Sequence, residues 1–463
     1  MTAYVPLAQS IDFPSQPFDN TLASVHNTHE SVVKVLNSTT FTQNLQTKSF
    51  GAMSQVNLPV SNLISNVVLV MKLQNVGAGD GLLAAGQYLP EGWGFDAIDY
   101  CEYTYGTSST LRVSGDQMRI WCLSQCESGE KQKAILRLAG RSYNSDATTG
   151  EYLAMVNLPL PHSNVNSKKV IPYDLSLLSN KPSSIRIRFK YGPEWITQGI
   201  TGTVPERAVA FNEVYVAFEQ SYLADGPSDS IQSLVAVGGG AKYDYPFMYP
   251  QYFESKQFQG KSDKASKVQL QLDNFLPGSV QSIDMWLERI TSSGPVLANG
   301  SNSMSNSKQN KSWYVPMSNI EILYGGQSIY RSDDALQEMF TLSNYPTSGS
   351  FGVSVPVFSV NVATGKADES TRISQYSHVQ LSQYNEQYLN LIQTGAMLNN
   401  SSVTLRFTTP ELRDLSLALD GTPPGEQPIF RLHCNYNYQC SLRSAEGETS
   451  ILFVRPEMIM ANV

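Results

Sequence analysis

The sequence predicts an all-β protein with two tandem antiparallel β-sandwich domains of about eight strands each and short helices in the connecting loops. Short segments rich in β-branched and aromatic residues recur along the 463-residue chain, and long helical periods are almost absent. Part of the first half also returns in the second half at a nearly constant spacing. A chain of this length can hold two domains that each bury a core of their own.

The internal repeat is clearest between residues 102–121 and residues 321–340. The first segment reads EYTYGTSSTLRVSGDQMRIW and the second reads EILYGGQSIYRSDDALQEMF. Each copy has an aromatic-rich strand, a Tyr-Gly turn, a short apolar segment that ends in arginine, and a polar acidic turn before an apolar stretch. At nearly the same spacing, residues 185–189 (IRIRF) return as residues 403–407 (VTLRF). Because solenoid repeats run about 20 to 50 residues, this longer repeat predicts two domains of one architecture.

The strand pattern divides the chain into an arm and two domains. Residues 1–30 carry three prolines and no steady period, which predicts an extended N-terminal arm. We assign residues 31–225 to the first sandwich, residues 226–250 to a linker and residues 251–463 to the second sandwich. The start of the chain lacks the basic and apolar regions of a signal peptide, so we expect a protein made inside the cell.

Three segments of the first domain give the strongest strand patterns. Residues 63–73 are apolar on both faces, residues 184–190 alternate apolar and basic side chains, and residues 208–223 place Val214 and Val216 on one face. Weaker patterns predict a long glycine-rich loop over 74–94, a strand over 99–105, a short helix or a further strand over 115–125, an extended segment over 130–138 and a polar loop over 141–150. In the second domain, strand patterns lie at residues 267–272, 282–290, 318–330, 353–362, 378–381, 402–408 and 429–438.

The charge of the chain excludes some classes of function. The net charge is −8, and the first thirty residues contain no Lys or Arg. A nucleic-acid-binding protein is expected to carry a basic face or tail, so we expect no direct nucleic-acid binding. Charged residues make up 16% of the chain, against about 25% in a typical domain. This low share fits either an exposed β protein or a subunit whose flanks are buried by neighbours.

We predict no catalytic, cofactor-binding or metal-binding residues, and therefore a protein that is not an enzyme. The HExxH, GxSxG and phosphate-loop motifs are absent from the sequence. The cysteines are odd in number and show no paired spacing, which indicates buried thiols and neither a disulfide framework nor a zinc site. They are Cys101, Cys122, Cys126, Cys434 and Cys440.

Two groups of histidines are candidate sites. His26 and His29, next to Glu30, could bind a metal only if the arm were helical, so solvated or interface histidines are the better interpretation. His433 precedes Cys434 on a predicted strand, and neighbouring strand residues point to opposite faces. These two side chains therefore cannot share a site on one face.

Paired carboxylates and paired arginines are the remaining candidates. A glycosidase uses two carboxylates across a cleft, but a helix cap explains the adjacent Asp333 and Asp334 better. Arg112 and Arg331 occupy matching places in the repeat, where we expect a structural role.

The order of the segments resembles the double jelly-roll major capsid protein of nucleocytoplasmic large DNA viruses and of Polinton-like viruses. Residues 62–73 (NLISNVVLVMKL) are similar to that family's early strands, and residues 101–121 are similar to its strand–turn–GDWMxIW element. The resemblance covers nearly the whole chain and includes residues 158–189, 252–258, 320–340 and 433–447. The sequence departs from the family pattern at residues 368–381 and has Gly325-Gly326 in place of an Asn-Gly turn.

The resemblance implies a structural coat protein with two jelly rolls. Three copies would form a hexon-type homotrimer of pseudo-hexagonal outline, and these capsomers would tile the icosahedral shell of a double-stranded DNA virus, assembled inside the host cell. It further implies contacts with minor capsid and penton proteins, and contact of the N-terminal arm with an inner membrane. Two alternatives stay open: a tandem β-sandwich that binds carbohydrate or mediates attachment, and a capsid scaffold or minor coat protein of the same fold.

Overall fold

The structure, a computed structural model, describes most of the predicted β segments and the helices between them. The described residues are 35–58, 63–75, 87–89, 91–105, 109–124, 126, 128–141, 143–144, 152–158, 173–174, 184–190, 198–199, 209–223, 243–261, 265–290, 314–332, 339, 349–360, 367–381, 396–398, 402–409, 429–445 and 448–453. The predicted arm, and with it His26 and His29, lies outside these residues.

The first half of the chain contains twelve described strands and three short helices. They are β1 (Val35–Asn44), β2 (Met53–Asn57), β3 (Leu63–Asn75), β4 (Gln87–Leu89), α1 (Trp93–Ala97), β5 (Ile98–Tyr105), β6 (Ser109–Ser114), α2 (Gly115–Ser124), α3 (Gly129–Leu138), β7 (Tyr143–Asn144), β8 (Tyr152–Asn157), β9 (Tyr173–Asp174), β10 (Ser184–Phe189), β11 (Gln198–Gly199) and β12 (Val209–Leu223).

The second half contains twelve described strands. They are β13 (Tyr243–Glu254), β14 (Phe258–Gln259), β15 (Ser266–Leu272), β16 (Ser279–Ile290), β17 (Ser318–Tyr324), β18 (Gln327–Arg331), β19 (Gly349–Val360), β20 (Ala367–Gln380), β21 (Ala396–Met397), β22 (Val403–Thr409), β23 (Ile429–Ala445) and β24 (Glu448–Phe453).

The described strands of each half form two main sheets with the same strand order. In the first half, sheet A runs β1-β12-β3-β8 and sheet B runs β2-β10-β5-β6, beside a small sheet β11-β4-β7. In the second half, sheet D runs β13-β23-β16-β20-β19 and sheet E runs β15-β22-β17-β18. The paired strands are antiparallel, and each described pairing joins strands of one half. The two-sandwich, all-β prediction is confirmed, and the pairing supports the domain boundaries, which stay a prediction.

The core of each sandwich lies between its two main sheets. Along β10, Ile185, Ile187 and Phe189 are fully buried while the alternate arginines are half-buried, as the alternating pattern predicted. On β12, Val214 and Val216 are buried against the same core. Removal of such side chains from water stabilises the fold by about 1.5 to 3 kcal/mol each.

Two local predictions from the sequence are wrong. Residues 130–138, predicted to be extended, form helix α3, which begins after Ser128, whose side chain accepts a hydrogen bond from the Lys131 backbone N–H. In the predicted 74–94 loop, β4 and the start of α1 are regular. Both segments are short or polar, and their contacts with distant parts of the chain determine their conformation. Strand β13 begins at Tyr243, before the predicted end of the linker at residue 250.

The strand register confirms the internal repeat. Glu102 faces Arg112 across β5 and β6, and Glu321 faces Arg331 across β17 and β18. The second turn is shorter: Gly325 and Gly326 have φ values of 55° and 85°, which suits a two-residue hairpin turn. A bulge in the following pairs restores the register.

One part of the sequence match is out of register. The ladders place Arg186 opposite Glu102 and Arg406 opposite Glu321. The equivalent of Arg186 is therefore Arg406, two positions further along than the sequence match of 185–189 with 403–407 implied. Because side chains alternate along a strand, a shift of two keeps every side chain on the same face. The apolar and polar pattern alone could not detect this shift.

The glycine that begins α2 is required by close backbone packing. A Cβ atom on Gly115 would lie 2.1 Å from the Phe95 carbonyl oxygen and 2.6 Å from that of Ile98. We expect Gly115→Ala to lower the free energy of unfolding by about 1 to 3 kcal/mol or more, because backbone atoms must move. Gly129, which begins α3, has no such neighbour within 4 Å and provides the matched control. Chemical denaturation of both variants tests this, and equal stabilities would contradict it.

Candidate functional site at the contact between the two halves

Helices α2 and α3 of the first half cover the outer face of sheet D in the second half. A cluster of buried apolar side chains forms the contact. Its members are Ile120, Leu123, Leu136, Trp286, Tyr314 and Tyr376. The first three lie on the helices, and Trp286 and Tyr376 lie opposite each other on β16 and β20. Sheet D is thus buried on both faces, because its other face packs in the sandwich core.

Buried side-chain hydrogen bonds connect the halves within this contact. Gln117 Nε2 donates to Asn435 Oδ1 at 3.0 Å, and Gln132 Nε2 donates to Tyr376 Oη at 2.8 Å. Gln132 also donates to the Leu123 carbonyl at 3.1 Å, which fixes its side chain on the helix pair. Hydrogen bonds between buried groups are directional, so they define how the two sandwiches are placed relative to each other.

The central charged group of the contact is Arg119 on α2. Its Nη2 lies 2.9 Å from Asp96 Oδ2, and both side chains are about 1% exposed. Nη2 also donates to the Gly92 carbonyl at 3.1 Å, and Nη1 lies 3.5 Å from the Tyr314 hydroxyl in the second half. Asp116 is a more distant partner at 3.9 Å. Arg119 therefore connects α1, α2 and the second half.

Burial and pairing act in opposite directions on this ion pair. Burial disfavours the charged guanidinium, but Asp96, Tyr314 and Asp116 together outweigh burial and raise the pKa of Arg119 above its ordinary value. Burial raises the pKa of the Asp96 carboxyl above its usual range, and Arg119 and Lys190 counteract part of that shift. A buried ion pair of this kind is costly to break from one side, because an uncompensated charge would remain in the interior.

Further polar side chains line the same face of sheet D. His378 Nδ1 and Asp284 Oδ1 lie 2.6 Å apart, and Asn437 Nδ2 donates to Asp284 Oδ2 at 2.9 Å. Asn437 also donates to the Ser282 hydroxyl at 2.9 Å. These contacts satisfy the Asp284 carboxylate and the Asn437 amide nitrogen, which explains how charged and polar groups are accommodated in a buried row.

The edge of this face carries an aromatic and acidic cluster. His433 stacks on Trp286 with ring centres 5.5 Å apart, and its two nitrogens lie 2.6 Å from Tyr252 Oη and 2.9 Å from Glu288 Oε2. Burial and the nearby Glu254 raise the pKa of the Tyr252 hydroxyl. The phenol therefore stays protonated and serves as a hydrogen-bond donor.

The cysteine prediction is confirmed for all five thiols, which are free and buried. Burial raises the pKa of Cys101 to about 12 and that of Cys126 to about 11. Because the thiolate is the reactive form, these side chains are poor nucleophiles.

The other sequence candidates do not converge on one site. Asp333 and Asp334 lie outside the described residues. Arg112 and Arg331 are exposed at matching corners of sheets B and E, where Arg112 also lies over the Tyr100 ring at 3.6 Å. Within the described ranges, no group of three or more His, Cys, Asp or Glu side chains has the arrangement of a metal site. The described helices include none that is long and apolar enough to cross a membrane.

Sequence reasoning missed the residues that join the halves. Arg119, Gln117 and Gln132 look like ordinary polar residues of a surface helix. One signal was present: Arg119 stands in an apolar stretch, at the position where the second copy of the repeat has Glu338. A charged residue between apolar neighbours on a short helix indicates a buried ion pair or an interface.

Solved structures show which known fold this is. The chain matches no protein-family model and no curated protein sequence. It is similar to PBCV-1 VP54 fitted into a reconstruction of the virophage Sputnik, with TM-score 0.58, 10% identity and coverage of 90% of this chain and 97% of that one. A chain of the Sputnik virophage structure gives TM-score 0.54 and 11% identity over 93% and 91%. A chain of the PBCV-1 capsid gives 0.53 and 11% over 90% and 97%.

The similarity extends over almost the full length of both chains in each comparison. The chain therefore has the double jelly-roll fold found in viral capsid proteins, as the sequence resemblance implied. At this level of identity the comparison concerns the fold.

Proposed function

We propose that this chain is the major capsid protein of a double-stranded DNA virus. It forms homotrimeric capsomers of pseudo-hexagonal outline that tile the icosahedral shell of the virion. The fold supports this, because solved chains from viral capsids match it over nearly their whole length. A role in assembly also agrees with the contact described above, which joins two β-sandwiches through buried apolar and polar side chains.

The proposed trimer rests on a difference in burial between equivalent residues of the two copies of the repeat. Ile120 on α2 is fully buried in the contact with sheet D. Its equivalent in the second copy is Met339, which follows Arg331 at the same distance as Ile120 follows Arg112. Met339 is 67% exposed, the largest exposure among the large apolar side chains of the described residues. We infer that the Met339 position makes the same kind of contact with a sheet face of another copy.

Sheet A offers the matching face. In sheet D the covered row is His433, Trp286 and Tyr376, one residue from each of three neighbouring strands. The row in the equivalent strands of sheet A is Tyr215, Val70 and Met155. Met155 is 37% exposed, Tyr215 is half-buried and Val70 is buried, and none of the three belongs to the sandwich core.

A head-to-tail contact between copies follows from these two surfaces. Met339 of one copy would pack on the Tyr215–Val70–Met155 row of the next, as Ile120 packs on sheet D within one copy. A head-to-tail contact of this kind closes into a ring when the rotation that relates neighbouring copies is a whole fraction of 360°. Three chains with two sandwiches each would give six similar contacts around the ring.

The remaining partners follow from the capsid role. We expect minor capsid and penton proteins to bind the assembled shell, and the N-terminal arm to face an inner membrane. Direct nucleic-acid binding is not part of the proposal, because the net charge is −8 and the arm lacks Lys and Arg.

Electron microscopy of the purified chain tests the proposed function. We expect particles with a hexagonal outline and, at higher concentration, ordered arrays or shells. Mass spectrometry of finished virions separates a major coat protein from a scaffold of the same fold, because a scaffold is absent from virions. Single-chain particles with no outline of a capsomer would contradict the proposal.

A glycan-binding protein is the alternative that the described surface supports least. Glycan-binding faces present exposed aromatic rings. Of the six exposed large apolar side chains among the described residues, only Tyr252 is aromatic. Its hydroxyl is engaged with His433 and Glu254 at the edge of the contact between the halves.

A further inference from the structure

The outer faces of sheets B and E carry the same row of four polar side chains, in the same strand order. Each row crosses its sheet along directly paired positions, in the order Gln, Arg, Glu, Arg. The sheet B row is Gln55, Arg186, Glu102 and Arg112. The sheet E row is Gln269, Arg406, Glu321 and Arg331. We call these the B row and the E row.

The two rows also share their internal contacts. Arg186 Nε donates to Gln55 Oε1 at 3.2 Å, and Arg406 Nε donates to Gln269 Oε1 at 3.1 Å. Arg406 Nη1 further lies 3.3 Å from Glu321 Oε2. A guanidinium has five N–H donors, so these contacts orient each arginine and leave donors for a further partner.

Both rows face solvent in the single chain. The glutamines at the start of each row and the arginines at its end are exposed, and the glutamates are half-buried. Around the rows the two faces differ. Sheet B has Met53 and Tyr100 nearby, whereas sheet E has Lys267 and Ile329.

Stability alone does not explain the duplication of the rows. An exposed cross-strand ion pair contributes roughly 0 to 1 kcal/mol, and many other pairs of residues would serve a sheet equally well. Four matching residue types in order, on faces that differ elsewhere, indicate a shared binding task.

The charge order identifies the partner. When two such rows meet in parallel, arginine faces arginine and glutamate faces glutamate. When they meet antiparallel about a two-fold axis, each central Arg faces a Glu and each terminal Arg faces a Gln. The row is then complementary to itself, as a two-fold contact between identical surfaces requires.

We infer that the B and E rows are docking surfaces for a second copy of this chain, opposed about a two-fold axis. Because the rows are alike, either half of one subunit can meet either half of another. Resting on the proposed capsid function, this inference assigns the rows to contacts between neighbouring capsomers. It is separate from the Met339 contact, which forms within a capsomer.

A charge exchange between two variants tests the inference. One variant carries Glu102→Arg and Glu321→Arg, and the other carries Arg186→Glu and Arg406→Glu. Each variant alone opposes like charges at the centre of the contact. A mixture of the two restores Arg–Glu pairs at both central positions. Lys131→Glu with Lys133→Glu, on the exposed side of α3, is the control with the same change of charge as the second variant.

Lateral association of purified capsomers is measured by sedimentation at low and high salt. We expect each row variant to need about ten-fold more protein than the wild type to associate, because charge pairs across the contact are replaced by repulsion. An equal mixture of both variants should associate as the wild type does, and so should the Lys131/Lys133 control. High salt should weaken association of the wild type and of the mixture.

The outcomes separate this inference from the proposed function. If the row variants keep the capsomer mass and still associate as the wild type does, the inference is overturned and the trimer stands. The same holds if the variants keep the capsomer mass but their mixture does not recover association. A wild-type chain that never exceeds monomer mass instead contradicts the proposed function. If charge reversal prevents folding, Glu102→Gln with Glu321→Gln replaces it; unchanged association and salt dependence would then overturn the inference.

Discussion

Replacement of Arg119 by Met lowers the free energy of unfolding by about 3 to 5 kcal/mol. The substitution removes the 2.9 Å ion pair with Asp96 and leaves a carboxylate in a site that is about 1% exposed. It also removes the contact with Tyr314 in the second half. Methionine fills much of the space, so the loss reports the charge and its hydrogen bonds more than a cavity. Urea denaturation monitored by fluorescence measures it.

The stability that Arg119→Met loses should depend on pH. In the wild type, burial raises the pKa of Asp96 above its unfolded value, and Arg119 counteracts part of the shift. Without Arg119 the folded-state pKa rises further. A carboxyl whose pKa is higher in the folded state takes up a proton on folding, so it favours the folded state as the pH falls. We therefore expect the deficit of the variant to be smaller at about pH 5 than at about pH 8.

Two controls distinguish the ion pair from a general effect of losing an arginine. Arg137→Met removes a 68% exposed side chain on α3 and should change stability by about 0.5 kcal/mol or less. Asp96→Asn combined with Arg119→Met removes both charges and should recover part of the lost stability. A loss equal to that of Arg137→Met, or one that grows as the pH falls, would show that the buried pair does not stabilise the folded chain.

A Met339→Asp variant remains a monomer under conditions where the wild type forms the capsomer. The side chain is 67% exposed in the single chain, so the substitution should leave the stability of the monomer nearly unchanged. In the proposed contact it places a carboxylate against the apolar row that includes Val70 and Met155. An unpaired charge in a desolvated interface costs several kcal/mol, which is enough to abolish assembly. Size-exclusion chromatography with light scattering gives the mass.

Leu138→Asp is the matched control for this prediction. Leu138 is 58% exposed at the end of α3, and the repeat does not align it with the buried contact. The same change of charge and polarity should therefore leave the capsomer mass unchanged. Trimers formed equally by both variants would rule out Met339 as the contact residue, and monomers formed by both would point to a general loss of solubility.

The sequence predicted the structure best where the alternation of apolar and polar residues along one strand determines which face is buried. Strand β10 and strand β12 follow from the alternation of apolar and polar residues, and the repeat of Glu102 and Arg112 as Glu321 and Arg331 marks equivalent hairpins. Such features are local, so the chain displays them before it folds. The resemblance to capsid proteins added the double jelly roll, which the strand order within the sheets then matched.

Features that depend on distant contacts were not predictable. Helix α3 contains several polar and charged residues, and its buried positions, Gln132 and Leu136, are defined by sheet D. On β16 both faces are buried, so Asp284 gives no sign of its network with His378. The equivalence of Arg186 and Arg406 became visible through strand register, because the sequence match was shifted along the strand by an even number of positions.

Light scattering coupled to size exclusion, on the wild-type chain at several concentrations, tests the central claim most directly. The head-to-tail contact through Met339 and sheet A predicts a species with three times the mass of the chain, stable on dilution to the micromolar range. A strict monomer at high concentration would contradict the claim, because Met339 and the sheet A row would then not meet between two copies.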